Sequence, residues 1–461
     1  MRTHFALCLC LTTACATAPK ILTPSETFED VKLTLVESQE PDALNAITAA
    51  WKGPRLTPDG EPVRWPATHG WDEEVSASYS NLANKTQVRA EVRRFRNRTF
   101  VFMAEADGAT LARREAQLDK LVAELAPKEL KPESFIGQKP REIDTRQYEA
   151  FLAKALEQLG VPGAAVALVQ HGKVIFEKTF GTRELGKTEA ITPDTLFLIA
   201  SITKPMTTFM QATLIDAGTF KWDTRITTLL PDFALADPKL TRQLELWHMS
   251  CACTGMPRRD IDNLIEYGNV TAEQRIASMK DMQPTTGLGE TYQYSNLMVA
   301  AGGFAAAHAW APNLSLNDAY VKVMNEKVFA PLGMTKSTAD FALATRMEHA
   351  TPHALDLDGK PHALPVNFEG NVVPIAPAGA VWSTLHDMEQ YALAELSRGV
   401  SPLDGKRVVS EANYLERARP RTRSGYGLGI DVEQRAGLTI LGHDGGADGF
   451  GTSLFMIPEL E

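Results

Sequence analysis

Residues 144–461 open and close on apolar strands and are helix-rich in between, and this order limits the folds open to the chain. Residues 164–170 and 173–180 are strand-like runs joined by His171-Gly172, a two-residue hairpin signal. Near the other end, 427–432, 438–443 and 452–457 read as further strands. One sheet closed by the two termini of the domain accounts for this arrangement. A helix leads in: Tyr148, Phe151, Leu152, Ala155, Leu156 and Leu159 recur at helical spacing, and Gly160 stops it.

Ahead of this unit, residues 19–126 read as a small α+β domain. Leu111, Leu118, Leu121, Val122 and Leu125 follow a helical period. Residues 87–105 read as two strands around Arg96-Asn97-Arg98. Their arginines admit two readings, an anion site or the wet face of a half-buried sheet, and alternation favours the second. Residues 127–143 hold three prolines and several charges, which is linker composition. No chemistry is assigned to the first domain.

The first eighteen residues read as an address. Arg2 and His4 precede a short apolar run, and small residues follow, as in a secretory signal. Leu11-Thr12-Thr13-Ala14-Cys15 is similar to a bacterial lipobox, so Cys15 is a candidate lipidation site and membrane attachment point. Plain cleavage after Ala16 or Ala18 is the alternative. The expectation is an exported protein, periplasmic or an outer-membrane lipoprotein. Of five cysteines, Cys251 and Cys253 remain for the body. A lone C-x-C lacks the four ligands of a zinc site, leaving two small buried side chains or a local disulfide. With 44% hydrophobic and 23% charged residues, the chain is of ordinary globular type. A net charge of −10 disfavours nucleic acid and anionic lipid as partners.

Ser201-Ile202-Thr203-Lys204 opens an apolar helical stretch running to Gly218. The i, i+3 spacing places Ser201 and Lys204 on one helix face. A serine hydroxyl is a weak nucleophile until a base takes its proton, and a lysine is such a base once burial lowers its pKa. The unpaired N–H groups of a helix start suit a developing oxyanion. Pro205 is tolerated there because the first turn does not use its N–H. Alone, S-x-x-K is weak. It gains weight from Tyr294-Ser295-Asn296 and His443-Asp444-Gly445-Gly446 downstream, in that order.

Together these motifs resemble those of the serine β-lactamase and penicillin-binding protein family, whose members carry S-x-x-K, then S-D-N or Y-x-N, then K-T-G. The tyrosine form is similar to the class C-like branch. Phe197-Leu198-Ile199-Ala200, Gly289-Glu290, Pro331-Leu332-Gly333-Met334 and Pro377-Ala378-Gly379-Ala380 look like further family landmarks. The resemblance implies an α+β sandwich, an antiparallel sheet flanked by helices, over 144–461. It implies an acyl-enzyme on Ser201, with Lys204 and Tyr294 sharing the proton work. Tyr294 would serve as a base only beside an ammonium that favours its phenolate. Asn296 would bond Lys204 or the substrate amide. The N–H groups of Ser201 and Gly446 would form the oxyanion hole, with Gly445 and Gly446 letting backbone approach the substrate. Tyr79-Ser80-Asn81 repeats the tyrosine motif in the other domain and is read as a strand or turn.

Three departures matter. His443 and Asp444 replace the Lys and Thr that help receive a substrate carboxylate, and an inward Asp444 would repel one; the expected substrate is then an ester, or an amide with a different tail. The segment 247–257 resembles the family's H-L-L-T-H-T-S-G-L-P, with His248 read as structural and Ala252 in place of the second histidine. Family members also continue past the equivalent of Pro458 with a strand and a helix, so a truncated chain is expected. The reading is an exported serine hydrolase acting on a small-molecule or peptide substrate. A β-lactamase or D-alanyl-D-alanine carboxypeptidase is the alternative within enzymes. A catalytically inactive binding or sensing protein is the alternative outside them. No G-x-S-x-G, H-E-x-x-H or P-loop occurs, and no cofactor or metal is implied.

Overall fold

The computed structural model describes residues 20–21, 28, 30–65, 70–111, 114, 118, 121–122, 126–127, 129–130, 135, 137, 143–266, 268, 270–356, 359–422, 425–435 and 437–461. The proposed signal segment and Cys15, and most of the proposed linker, lie outside these residues. The chain divides into two compact units, Met1–Ser134 and Phe135–Glu461. Both mix helices with antiparallel sheet.

The first unit is built on a seven-stranded antiparallel sheet. Its centre is β1 (Lys32–Ser38), β4 (Arg98–Ala106), β3 (Thr86–Phe95) and β2 (Glu73–Asn81), in that spatial order. Along β3, Val88, Ala90 and Val92 are buried and alternate with half-exposed Arg89, Glu91 and Arg93. That buried face packs on α1 (Ala43–Ala50) through Ala43, Ala46, Ile47 and Ala50. Strand β4 is buried on both faces, because Phe100, Phe102 and Ala104 meet Leu118, Leu121 and Val122 on the other side. Four of the five arginines are matched by glutamates, Arg93 to Glu74 at 3.1 Å, Arg98 to Glu37 at 2.7 Å, Arg89 to Glu91 at 3.1 Å and Arg94 to Glu73 at 3.4 Å, while Arg96 lies over the Phe95 ring. These partners leave the wet-face reading and remove the anion site. Tyr79 lies within β2.

In the second unit α2 (Thr145–Gln158) leads into β5 (Gly163–Gln170) and β6 (Lys173–Gly181). His171 and Gly172 both have positive φ, 52° and 71°, the two-residue turn whose twist suits a hairpin. The terminal strands are β7 (Asp431–Arg435), β8 (Leu438–Gly446) and β9 (Gly451–Met456), paired antiparallel in that order. Two expectations are corrected here. Gly427–Ile430 is a bend closed by the Gly427 N–H on the Ile430 carbonyl at 2.8 Å, so β7 starts later than its apolar residues suggest. The hairpin and the three-stranded piece share no ladder among the described residues, so one continuous sheet is not formed. Helix α5 (Leu385–Leu396) packs against both β5 and β9 and spans the two pieces.

Two helices carry the core beneath the site. In α3 (Thr203–Asp216) every residue from Thr203 to Leu214 is buried. In α4 (Asn296–Trp310) so is every residue from Leu297 to Ala307. Small side chains let α4 come close. A Cβ on Gly303 would lie 2.3 Å from the Pro377 Cβ, so only glycine permits this approach.

Candidate active site

Ser201, the candidate nucleophile, sits at a tight entry to α3. A single 3₁₀ turn, Ala200–Ile202, precedes the helix, and Ala200 is held at φ 46°. A left-handed alanine is strained and persists only where its surroundings hold it. The Ile199 N–H donates to the Val381 carbonyl at 2.9 Å, the Thr452 hydroxyl donates to the Ile199 carbonyl at 3.0 Å, and the Val381 N–H donates to the Thr203 hydroxyl at 3.1 Å. The backbone around Ser201 is therefore pinned from β9 and from the 380s.

One helical turn on, Lys204 is fully buried, with Nζ 2.8 Å from Ser201 Oγ. It donates to the Ala378 carbonyl at 2.6 Å. Burial pushes its pKa well below the usual lysine range; the Asp260 carboxylate opposes the shift and the Arg258 guanidinium reinforces it. A neutral amine held this way offers its lone pair to the serine proton. The Tyr294 hydroxyl donates to Ser201 Oγ at 2.8 Å. Burial holds its pKa above the usual tyrosine value, although Lys204 Nζ and the Arg258 guanidinium lie 4.8 and 5.1 Å from its ring centre. Burial thus disfavours both the Tyr294 phenolate and the Lys204 ammonium, which separates two roles that the residue types left shared.

Ser201, Lys204 and Tyr294 converge; Asn296 stands differently from expectation. Its Nδ2 donates to Asp260 Oδ1 at 2.9 Å, and its buried Oδ1 has no hydrogen-bond partner among the described residues. A carboxylate accepts only, so Asp260 fixes the amide orientation and leaves Oδ1 as a buried acceptor without a partner among the described residues. Asp260 also holds Arg258 at 2.6 Å. The ion pair Arg258–Asp260 was missed in the sequence, where it follows Pro257 with no motif to mark it.

His443 does not present a ring nitrogen to a substrate. Its Nδ1 lies 2.5 Å from the Asp444 carbonyl and its Nε2 3.0 Å from the Tyr426 hydroxyl. Facing a carbonyl, Nδ1 must carry the proton, so Nε2 accepts from Tyr426. Burial and the nearby Lys204 lower its pKa to about 4. The group is neutral and its ring stands 6.1 Å from that of Tyr294, as part of a wall with Tyr426. Asp444 points to the other face of β8, opposite Ser453, whose hydroxyl it accepts. The expected repulsion of a carboxylate by an inward Asp444 therefore has no basis.

Gly445 and Gly446 part company as well. A Cβ on Gly445 would lie 2.3 Å from the Ile199 carbonyl oxygen, so this glycine lets β8 press against the segment before the nucleophile. A Cβ on Gly446 would meet nothing within 4 Å, and this residue ends β8 beside open space.

The site is braced from below by residues that no motif marked. Arg417 of α6 (Glu411–Arg417) is 1% exposed and donates to the Pro205 carbonyl at 2.7 Å. Its charge is met by buried Glu395 at 2.7 Å. Gly429, at φ 68°, lies against the Lys204 carbonyl, where a Cβ would be 3.0 Å from that oxygen. His248 is structural: its Nδ1 accepts the Glu245 N–H at 3.1 Å, and its ring stacks on Trp247. Cys251 and Cys253 form a disulfide, and both are buried.

Comparison with known proteins gives the same outline. The family model described as Beta-lactamase matches residues 148–461. An unguisins hydrolase of Aspergillus campestris is 30% identical over 329 residues, 68% of this chain and 60% of that protein. Penicillin-binding protein 4 of Amycolatopsis lactamdurans is 27% identical over 65% of this chain and 78% of its own length. Esterase EstB of Burkholderia gladioli is 24% identical over 50% of this chain and 59% of its own. Among solved structures, an octameric penicillin-binding protein homologue from Pyrococcus abyssi superposes with a TM-score of 0.60 at 22% identity, covering 69% of this chain and 72% of that one. That likeness shows the α+β fold.

Proposed function

The chain belongs to the beta-lactamase family of serine hydrolases, and from that premise we propose that it cleaves an ester or amide through an acyl-enzyme on Ser201, with a substrate that needs no carboxylate for recognition. The observation that carries the reading is Ser201 Oγ, flanked at 2.8 Å by both a buried Lys204 and the Tyr294 hydroxyl.

In acylation the Ser201 oxygen bonds the substrate carbonyl carbon and its proton passes to Lys204 Nζ. The oxyanion is received by the backbone N–H groups of Ser201 and Gly446, each such donor being worth about 10²–10³ in rate. As the intermediate collapses, the bond to the leaving group breaks. Tyr294 protonates that group and is reprotonated from the Lys204 ammonium. Water then attacks the acyl carbon, giving its proton back along the same path and freeing Ser201. Asn296 is assigned to accept an N–H of the substrate, a role supported by an Oδ1 that has no partner among the described residues. The preference for a substrate without a carboxylate is supported by neutral His443, whose ring nitrogens are both engaged within the protein. Export rests on the first eighteen residues and is supported by the Cys251–Cys253 disulfide, a feature of oxidising compartments. Among the described residues no helix is long and apolar enough to cross a membrane.

The test is fluorophosphonate labelling of the purified protein beside Ser201→Ala, followed by rates on a p-nitrophenyl ester, a cephalosporin and a D-alanyl-D-alanine peptide. Labelling lost in the variant, with the ester turned over fastest, is expected. Faster cephalosporin or peptide turnover would move the assignment to a β-lactamase or peptidase. No labelling of the native protein would sink the hydrolase mechanism.

A further inference from the structure

We infer that the Cys251–Cys253 disulfide is a positioning device for the catalytic pair, holding Tyr294 in register with Lys204. The inference rests on the acyl-enzyme reading above.

The disulfide closes around a single residue, Ala252, which is held at φ 49°. An alanine in that region is sterically disfavoured, so something must hold it there. The left-handed kink turns successive carbonyls onto the strand of chain that carries Tyr294. The Ala252 carbonyl accepts the Gln293 N–H at 2.6 Å, and Gln293 is the residue before Tyr294. The Cys253 carbonyl accepts the Gly289 N–H at 2.7 Å, and the Gly255 carbonyl accepts the Thr285 N–H at 2.8 Å. The approach is close enough that a Cβ on Gly255 would lie 2.0 Å from the Thr286 carbonyl oxygen. Residues 251–255 and 285–293 are thus laced together along their backbones.

The other side of the same turn faces the lysine. The Ser250 carbonyl, just before Cys251, accepts the Gly429 N–H at 2.8 Å, and Gly429 sits against the Lys204 carbonyl. Leu428 packs on both cysteines. The disulfide loop therefore stands between the segment that supports Lys204 and the segment that ends in Tyr294. Neither cysteine is accessible: they are 0% and 1% exposed. A buried crosslink at this place acts on geometry and not on solvent thiols. Opening it lets Ala252 relax to negative φ, which swings its carbonyl off Gln293 and lets Tyr294 drift from Ser201 Oγ. Misplacing a catalytic group by about 1 Å costs on the order of 10²-fold in rate.

The experiment compares the native protein with Cys251→Ser/Cys253→Ser, and with protein reduced by a phosphine in urea, refolded in the reduced state and then reoxidised. Ester kcat and KM are measured, together with the Cζ resonance of Tyr294 in tyrosine-labelled protein, assigned with Tyr294→Phe. The expected result is a fall in kcat of about tenfold or more, with KM within about twofold, a shifted Tyr294 resonance and an unchanged circular dichroism spectrum. Reoxidation of the reduced protein restores all of these. An unchanged resonance and kcat would overturn the inference. So would loss of the folded spectrum in both the double variant and the reduced protein, because the crosslink would then serve the whole unit. Native protein with no Ser201-dependent turnover would instead count against the hydrolase reading, and the Tyr294 resonance would still decide the role of the disulfide.

Discussion

Lys204 Nζ lies 2.6 Å from the carbonyl oxygen of Ala378. That contact aims one N–H of the lysine away from Ser201 and leaves the nitrogen lone pair free to face the serine. It also gives a fully buried amine a neutral hydrogen-bond acceptor and no carboxylate of its own. Such a lysine works as a base because the protein interior disfavours its charged form.

Replacing it should therefore trade activity for stability. Lys204→Met keeps the volume and removes the group that resists burial. The folded-state pKa lies below the unfolded value, so the unfolded chain binds the proton more readily and native stability is lowered throughout the range below about 10. Thermal melting at pH 7 should rise by about 2–4 °C, while ester turnover falls by about 10³-fold or more. A lower melting temperature would contradict this account of the site.

The pH–rate profile follows from the same two groups. Turnover should rise with pH as Lys204 loses its proton, and that limb should vanish in no other single-site variant of the wall residues. Tyr294 stays protonated above the usual tyrosine range, so no alkaline fall from its ionisation is expected below about pH 10. Stopped-flow rates on a simple ester across pH 5–10 check both limbs.

Asp260 should matter although it does not reach Ser201 in this structure. It fixes the Asn296 amide and holds Arg258 over the Tyr294 ring. Asp260→Ala frees both, and kcat/KM on an amide substrate should fall by about tenfold. An ester, which lacks the N–H that Asn296 Oδ1 would accept, should lose less. Equal losses on the two substrates would contradict the role given to Asn296.

The brace under the nucleophile is electrostatic. Arg417→Met leaves the Glu395 carboxylate buried without its counter-ion, held by the Tyr391 hydroxyl, and should cost about 3–5 kcal/mol in urea unfolding of the larger unit. Arg417→Met/Glu395→Met should recover much of that stability, since an apolar pair of similar volume often matches a buried ion pair.

Acid stability should depend on His248. Its pKa is lowered to about 4, chiefly by burial. The unfolded chain then takes up the proton first, and native stability from this residue falls between about pH 6.5 and 4 by at most ~3 kcal/mol. Glu369, raised to about 7 mainly by burial and then by Asp448, has the opposite sign and gains stability over its own range as pH falls. His248→Asn preserves an acceptor for the Glu245 N–H without titrating. Its stability should decline less than that of the native protein from pH 6.5 to 4, as read by urea unfolding at each pH.

The meeting of Ser201, Lys204 and Tyr294 was legible because proton chemistry restricts such a group to a few residue types in a fixed order. The helices of the core and the His171-Gly172 turn were legible from period and from the demand for positive φ. The pairing of strands was not, since whether β5 and β9 share a ladder is decided by what lies between them, which no local pattern records. Asn296 and His443 were placed by motif, but the protein groups that orient them were not foreseen. Their contacts depend on Asp260 and Tyr426, residues of ordinary type brought in by tertiary folding. Arg417 and Glu395 were invisible for a different reason: a charged residue reads as surface until its partner across the core is known.

The bonds that assemble the site have a kinetic meaning too. Tyr294 meets Ser201 across 93 residues, Ala378 meets Lys204 across 174, and Arg417 meets Pro205 across 212. Each is a long loop that must close before its bond repays the lost chain entropy. A growing chain that has passed Ser201, Lys204 and even Tyr294 still carries an inert serine. It becomes an activated one only after the chain through Thr452, whose hydroxyl pins the Ile199 carbonyl across 253 residues, has been made and docked, so labelling of Ser201 by a serine-directed probe reports a late step of folding.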